Sequence, residues 1–384
     1  MYIKQATKLD IYKFHYMSYF YKFCISIFFS VCLILPATGQ QNRYSAINAK
    51  VDSFISLQLA EKNIVGLSLC VMREGKIIYA NGYGYANLEH KIKATDSTVY
   101  LMASVTKTFV AVATMILAEK GTILLDDSIG RYVSGLPSHW NIVTIRQLLS
   151  HTSGIRGNVD WPPPCAGELK YDNFNYTRAD VIKETACLPL RFTPGEKWEY
   201  SGRGYYVLGM LIEAVSGKTF EKFLRDNIFN PLQMSNTRII NYKEITPNRA
   251  AGYQKENNLI VNKILPQDPV VEFSDGGLVS TVLDMAKWDA VLHSEKLLKK
   301  ETLEQMFTPV KIKDGFAPYG LGFETTPFHG RRSVGHIGRI PGFESAFTRF
   351  FENKISVVIF MNTELDSGQM EMANNIASFY FNSN

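Results

Sequence analysis

Apolar residues recur along this chain with two periods, and the change from one to the other divides it. Ile47, Val51, Phe54 and Ile55 fall at helical spacing, after which 65–71 and 76–79 read as strands joined by a turn at 73–75. Residues 100–120, YLMASVTKTFVAVATMILAEK, are apolar on every side over about four turns and close on Lys120 and Gly121, which predicts a buried central helix. Residues 121–132 and 134–140 read as loop, 144–149 as a short helix ending at His151, and 156–176, rich in Pro, Gly, Asn and Tyr, as a surface excursion. Helices are predicted at 178–186, 204–216, 219–228, 281–292 and 300–307, while 231–275 carries the weakest pattern. Near the end the period becomes two. There 319–324, 343–351 and 355–361 read as strands, with Asn353 and Lys354 at a hairpin turn, and 369–380 closes as a helix. This order predicts an α+β protein whose antiparallel sheet is formed by the N- and C-terminal parts, with a mostly helical region inserted between them.

Composition narrows the setting. A chain of 384 residues with 46% hydrophobic and 20% charged content can build a large core and has no signature of wholesale disorder. Residues 1–22 carry Lys4, Lys8, Lys13 and Lys22 against Asp10. Then 23–36, FCISIFFSVCLILP, is an apolar run of secretory-signal length, followed by Ala37, Thr38 and Gly39 as a small-residue cleavage region. The run is short for spanning a bilayer. The expectation is export to the periplasm or beyond, with 1–39 as the targeting segment and 40–384 as the working domain; membrane association through an uncleaved 23–36 is the alternative. Cys32 follows Val31, which argues against lipidation. Removing 1–39 takes four lysines and one aspartate with it, so most of the formal charge of +5 disappears and gives no reason to invoke nucleic acid. Cys24 and Cys32 leave with that segment. Export permits a Cys165–Cys187 disulfide that would pin the excursion around 161–164, and Cys70 reads as a small buried hydrophobe. No Rossmann, P-loop or metal-ligand spacing is present, and neither cofactor nor metal is expected.

Ser104 and Lys107 are the polar exceptions at the first turn of the central helix, and a spacing of three puts them on one face. A buried lysine loses its proton more readily because desolvation penalises the charged form, so it could serve as the base a serine nucleophile needs. The helix N-terminus adds N–H groups for an oxyanion. The plainer alternative is a capping serine followed by a lysine that snorkels to solvent, and S-x-x-K arises about once by chance in a chain of this length. Two later segments bear on the choice. Tyr200 sits in PGEKWEYSGRGYYVLG, 194–209, immediately before an apolar helix, where a fixed phenol could shuttle a proton if nearby positive charge lowers its pKa. His336 lies between glycines in GHIGRIPGF, 335–343, where close backbone approach by a ligand is possible.

Taken together, Ser104-Val-Thr-Lys107, Tyr200-Ser201-Gly202 and His336-Ile-Gly338 resemble the ordered motifs of the serine beta-lactamase and penicillin-recognising peptidase superfamily. The likeness is to the class C beta-lactamase-like branch, which includes D-alanyl-D-alanine carboxypeptidases, D-amino-acid-specific peptidases and carboxylesterases. LLSHTSGI at 148–155, GGLVST at 276–281 and YGLGF at 319–323 add to it, and the resemblance runs from about 45 to 380. It implies a beta-lactamase/transpeptidase-like fold, Ser104 as acylated nucleophile, and Lys107 and Tyr200 as the pair that take and return its proton. Backbone N–H groups of Ser104 and Arg339 would hold the oxyanion, with Arg339 on a strand following His336-Ile-Gly338. His336, Gly338 and Arg339 would contact substrate, and His151 would support its turn. Small peptide, amide or ester substrates are implied, cell-wall peptides among them.

Two positions depart from the resemblance. His336 replaces the lysine of K-T-G and offers weaker fixed positive charge for a substrate carboxylate. Gly202 replaces the asparagine of Y-x-N, whose side chain would lie by the lysine and bind an acyl-side amide; Arg203 could reach into that gap. The expected function is a secreted serine hydrolase, D,D-peptidase-like by preference, with carboxylesterase or weak beta-lactamase as alternatives. A catalytically silent binder of cell-wall peptides is the reading from a different class.

Overall fold

The first and last strands of the chain pair with each other, and that pairing organises the molecule. The computed structural model describes residues 44–157, 165, 177–263, 269–365 and 367–382. The targeting segment expected at 1–39 and most of the 156–176 excursion lie outside the described residues. By compactness the chain divides into 1–49 and 50–384; of the former only 44–49 are described, and they open helix α1 (Ser45–Lys62).

In 50–384, β1 (Gly66–Arg73) and β2 (Lys76–Asn87) form a hairpin beside a two-residue strand β3 (Ile92–Lys93). Strand β4 (Tyr100–Leu101) leads through a 3-10 turn, Ala103–Val105, into α2 (Thr106–Glu119). The inserted region holds α3 (Ile145–Leu149), α4 (Arg178–Ala186), α5 (Gly202–Ser216) and α6 (Phe220–Leu224), the last continued by a π-turn, Arg225–Phe229, and one turn, α7 (Asn230–Leu232). After β5 (Arg238–Ile239) come the hairpin β6 (Tyr253–Glu256) and β7 (Leu259–Asn262), α8 (Pro269–Gly276), β8 (Leu278–Ser280), α9 (Val282–Val291) and α10 (Lys300–Met306). A small hairpin, β9 (Lys311–Ile312) and β10 (Gly315–Phe316), precedes β11 (Ser333–Ile340), β12 (Phe343–Phe350), β13 (Ile355–Met361) and α11 (Gln369–Phe379).

The main sheet runs β11-β12-β13-β1-β2-β3, antiparallel throughout, and β1 meets β13 from Leu67 opposite Met361 to Arg73 opposite Ile355. Every residue of β12 and β13 is buried, because α9 and α11 pack on the sheet; this is why 355–361 reads as a continuous apolar run and not as an alternation. The α+β architecture with an inserted helical region is therefore the one present.

Three expectations need correction. Residues 319–324 do not form a strand: Gly322 has φ +89, and the segment turns back so that Gly320 N–H donates to Phe323 O at 2.8 Å. The strand of this region is β11, in which Gly335 and Gly338 dilute the strand signal, so His336 and Arg339 lie on the same strand. β2 extends to Asn87 because Gly82 and Gly84 are strand residues pressed against neighbouring backbone; a Cβ on Gly82 would meet the Ala94 oxygen at 2.4 Å.

Candidate active site

Helix α2 is buried along almost its whole length, and its internal polar groups are satisfied locally. Thr108 Oγ1 donates to Val105 O at 2.9 Å and Thr114 Oγ1 to Val110 O at 2.8 Å. The 3-10 turn ahead of it starts at Ala103, whose φ of +48 is the left-handed conformation that side chains resist. That sharp turn presents Ser104 at the end of the helix. Met102 N–H donates to Leu278 O at 2.9 Å and Ser345 Oγ donates to Met102 O at 2.7 Å, so β8 and β12 both hold the turn in place.

Lys107, fully buried, donates from Nζ to Ser104 Oγ at 3.1 Å, to Asp275 O at 2.8 Å and to the Asp275 carboxylate. An ammonium has three donors, and all three are used. Burial pushes the Lys107 amine down; the Asp275 carboxylate and the Tyr200 phenol together outweigh it and hold the group above the ordinary lysine range. Burial alone predicts the opposite direction. The carboxylate that reverses it comes from the end of α8, in the stretch where the sequence pattern is weakest.

Tyr200 precedes α5, whose N-cap Ser201 accepts from Gly204 N–H at 3.2 Å. Its ring centre lies 5.0 Å from Lys107 Nζ, and its hydroxyl interacts with both Lys107 and Ser104. Burial raises the phenol above its ordinary range despite the lysine charge, so the proton stays on Tyr200 at rest. His151 supports this arrangement from behind. Its φ is +58, its Nδ1 accepts from Ser201 N–H at 3.1 Å, and its ring lies 4.3 Å from that of Tyr200 and 4.6 Å from that of Tyr319. Burial, then the charge of Lys107, keeps this imidazole neutral.

Strand β11, an edge of the main sheet, closes the other side. A Cβ on Gly338 would lie 2.3 Å from Met102 O and 3.0 Å from Ser104 N, so the glycine is what lets the strand backbone lie against the Ser104 turn. Gly335 N–H donates outward to Glu324 O at 3.0 Å, and the two-residue period places the Arg339 amide along the same edge. The Arg339 side chain turns to Glu344, Nε to Oε1 3.1 Å. His336 is buried, with Nε2 2.8 Å from the Tyr319 hydroxyl; burial and then the Lys107 charge push it down to about 3, so its ring is neutral. It therefore adds no fixed positive charge to the site.

A family profile described as Beta-lactamase matches residues 51–379. The chain belongs to the beta-lactamase family. Among its relatives, penicillin-binding protein 4* of Bacillus subtilis is 28% identical over 330 residues, covering 80% of this chain and 70% of that one. The structure of the octameric penicillin-binding protein homologue from Pyrococcus abyssi is 32% identical and superposes with a TM-score of 0.73 over 86% of this chain and 76% of its own. The D-amino acid amidase from Ochrobactrum anthropi SV3, complexed with L-phenylalanine, is 25% identical with a TM-score of 0.74, covering 88% of this chain and 98% of that one. At the level of the beta-lactamase family this is thus a hydrolase-related protein with penicillin-binding-protein relatives.

The structure brings Ser104, Lys107, Tyr200, Gly338 and the Arg339 backbone to one place and sets His336 just behind it. Arg203 does not fill the gap at Gly202, since its guanidinium pairs with buried Glu184. Asp275, Tyr319 and Glu324 were missed. Asp275 stands one residue before GGLVST and Tyr319 opens YGLGF, so adjacency to those segments was the only signal; no spacing relates either residue to Ser104. Among the described residues no cluster of three His, Cys, Asp or Glu is gathered to hold a metal. Cys165 and Cys187 are bonded, with Cα atoms 5.5 Å apart, and Cys70 is free and buried.

Proposed function

We propose that this protein is an exported serine hydrolase that acts on peptide, amide or ester bonds through an acyl-enzyme on Ser104, with D,D-peptidase-like activity on small cell-wall peptides. The observation that carries the reading is the 3.1 Å contact between Ser104 Oγ and buried Lys107 Nζ, under a strand edge that only Gly338 allows to come so near. Once Lys107 has lost a proton, its amine takes the Ser104 hydroxyl proton as Oγ bonds the carbonyl carbon. The Ser104 and Arg339 amides receive the oxyanion. Tyr200, between Lys107 and Ser104, passes the proton to the leaving nitrogen or oxygen as its bond to carbon breaks, and water then releases the acyl group. Penicillin-binding relatives support peptide-like substrates. The neutral His336 favours a second reading, an esterase, because a substrate carboxylate meets less positive charge there. The apolar run at 23–36 supports export.

The test is covalent labelling of the purified chain by a fluorescent penicillin and, separately, a fluorophosphonate, with the adduct located by peptide mass spectrometry. Ser104 should be labelled by at least one probe, and Ser104→Ala by neither. Lys107→Ala should fold and label about 10²–10⁴-fold more slowly. A folded native chain that labels with neither probe overturns the reading. Penicillin labelling supports the peptidase, and fluorophosphonate labelling alone the esterase.

A further inference from the structure

The outer edge of β11 presents backbone amides at Gly335, Ile337 and Arg339, two residues apart, and Glu324 meets the first two. Its backbone pairs with Gly335, Glu324 N–H donating to Gly335 O at 2.8 Å and Gly335 N–H to Glu324 O at 3.0 Å. Its carboxyl Oε1 faces Ile337 N–H at 3.5 Å, longer than a settled N–H···O bond, so that amide is approached and not filled. The third amide is the one assigned to the oxyanion. Among the described residues, the basic group within ion-pair range of the Glu324 carboxyl is His336 Nδ1 at 3.9 Å, and the His336 ring is neutral. Tyr319, which faces the same corner with its hydroxyl 2.8 Å from His336 Nε2, keeps its proton because burial pushes the phenol well above its ordinary range. The carboxyl thus stands beside the site with no cation to balance it. Burial raises it to about 7, although 28% of the side chain reaches solvent. Glu344, also raised to about 7, is engaged with Arg339 Nε and Leu365 N–H instead.

We infer that Glu324 is a specificity-determining residue that receives a carboxylate on the substrate's leaving group by donating its own carboxyl proton to it, and that turns such substrates away once that proton is lost. The inference rests on the Ser104 acyl-enzyme reading and names the leaving groups that the site accepts. Outward amides recur about every 6.6 Å along a strand, a distance that one residue with its terminal carboxylate bridges. A substrate whose scissile carbonyl lies on Arg339 N–H, with its leaving group toward Gly335, therefore brings that carboxylate to Ile337 N–H and Glu324. A protonated carboxyl is a donor, and its O–H···O⁻ bond to a carboxylate is a strong one. An ionised carboxyl has no proton to give and repels the incoming charge. Terminal D-alanyl peptides and penicillins, both of which carry such a carboxylate, are accepted on the acid side of pH 7. Neutral esters and amides are accepted on both sides. The proton of Glu324 thus does the work of the positive charge that His336 does not supply.

The experiment compares kcat/KM for the ester N-acetyl-D-alanyl glycolate, whose leaving group carries a carboxylate, with that for its primary amide, N-acetyl-D-alanyl glycolamide, at pH 5 and pH 9. Both are run on the native chain and on Glu324→Gln, with fluorophosphonate labelling of Ser104 followed in each. The ester bond suits a peptidase and an esterase alike, and taking the acid-to-amide ratio at each pH cancels the protons that Lys107 and Tyr200 exchange. In the native chain the ratio should fall by about tenfold or more from pH 5 to pH 9, the size of one charge-assisted hydrogen bond. Glu324→Gln keeps a donor at every pH, so it should hold at pH 9 the ratio it has at pH 5. Should the variant fail to fold or the esters not turn over, affinities of Ser104→Ala for N-acetyl-D-alanyl-D-alanine and its C-terminal amide, by calorimetry at the two pH values, decide in their place. The same tenfold fall is expected there. Labelled Ser104 with a ratio independent of pH in the native chain, or a fall that persists in folded Glu324→Gln, overturns the role of Glu324 and leaves the nucleophile standing. An affinity ratio equal at both pH values does the same. A native chain in which Ser104 never labels fails at the earlier step instead.

Discussion

Gly338 shows how little tolerance the site has at single positions. Its missing side chain lets β11 approach the backbone atoms Met102 O and Ser104 N, which cannot give way, and the Ser345 hydroxyl, which is itself tied to Met102 O. Gly338→Ala should therefore lower stability by about 1–3 kcal/mol, as overpacking does, and slow Ser104 labelling by a larger factor because the turn carrying the nucleophile must shift. Denaturant midpoints and labelling rates measured together check this; an unchanged labelling rate in a folded variant would show that strand and turn are not in register for catalysis. Gly202 presents the same constraint with a different neighbour. A Gly202→Asn variant made to restore an amide beside Lys107 meets the Asp275 carboxylate first, so it should impair labelling unless Asp275 is shortened as well. The double variant with Asp275→Gly should recover at least part of the lost rate, and a loss that simply adds would separate the two positions.

Among the elements, the five-residue α3 has a reach greater than its length. Thr144 and Gln147 close a capping box, with Gln147 N–H to Thr144 Oγ1 at 3.2 Å and Thr144 N–H to Gln147 Oε1 at 2.9 Å. The helix ends at Leu149, whose carbonyl accepts from Tyr205 OH at 2.6 Å, and two residues later His151 receives Ser201 N–H. The cap thus sets the turn that fixes Tyr200. Thr144→Ala should cost about 1 kcal/mol of stability, read from the urea midpoint, and should reduce turnover modestly. Stability lost with turnover fully retained would confine α3 to a structural role.

For the whole molecule, burial of carboxyls beside the sheet makes stability depend on pH in an unusual direction. Glu324, which accepts from Ile337 N–H at the β11 edge, is raised by burial from 4.5 to about 7. Between those values the folded protein keeps a proton that the unfolded chain has released, so its stability falls as pH rises and the full cost is present above 7. Because 28% of the side chain meets solvent, the effect is on the order of 1–2 kcal/mol. Glu324→Gln should accordingly be more stabilising, relative to the native chain, at pH 8 than at pH 5. The same difference at both pH values, by thermal or urea unfolding, would show that Glu324 carries no such burden.

Local pattern sufficed for much of this protein, because burial leaves a period that neighbours in sequence share. The all-round apolar α2 with Ser104 and Lys107 on one face, the run 355–361 that became β13, and the capping sequence before 145–149 follow from it directly. The chain's ends could be assigned to one sheet from the order of elements, while the pairing of Leu67 with Met361 needed the folded chain. β11 stayed hidden because glycines required for close approach to Ser104 look, in one dimension, like loop. The charge of the site was out of reach for a related reason. Whether Lys107 is a base at rest depends on a carboxylate 168 residues away in sequence, and whether His336 is cationic depends on how deeply the sheet buries it. Period and propensity are properties of neighbours along the chain; desolvation and Coulomb interactions belong to neighbours in space, and only tertiary structure decides which those are.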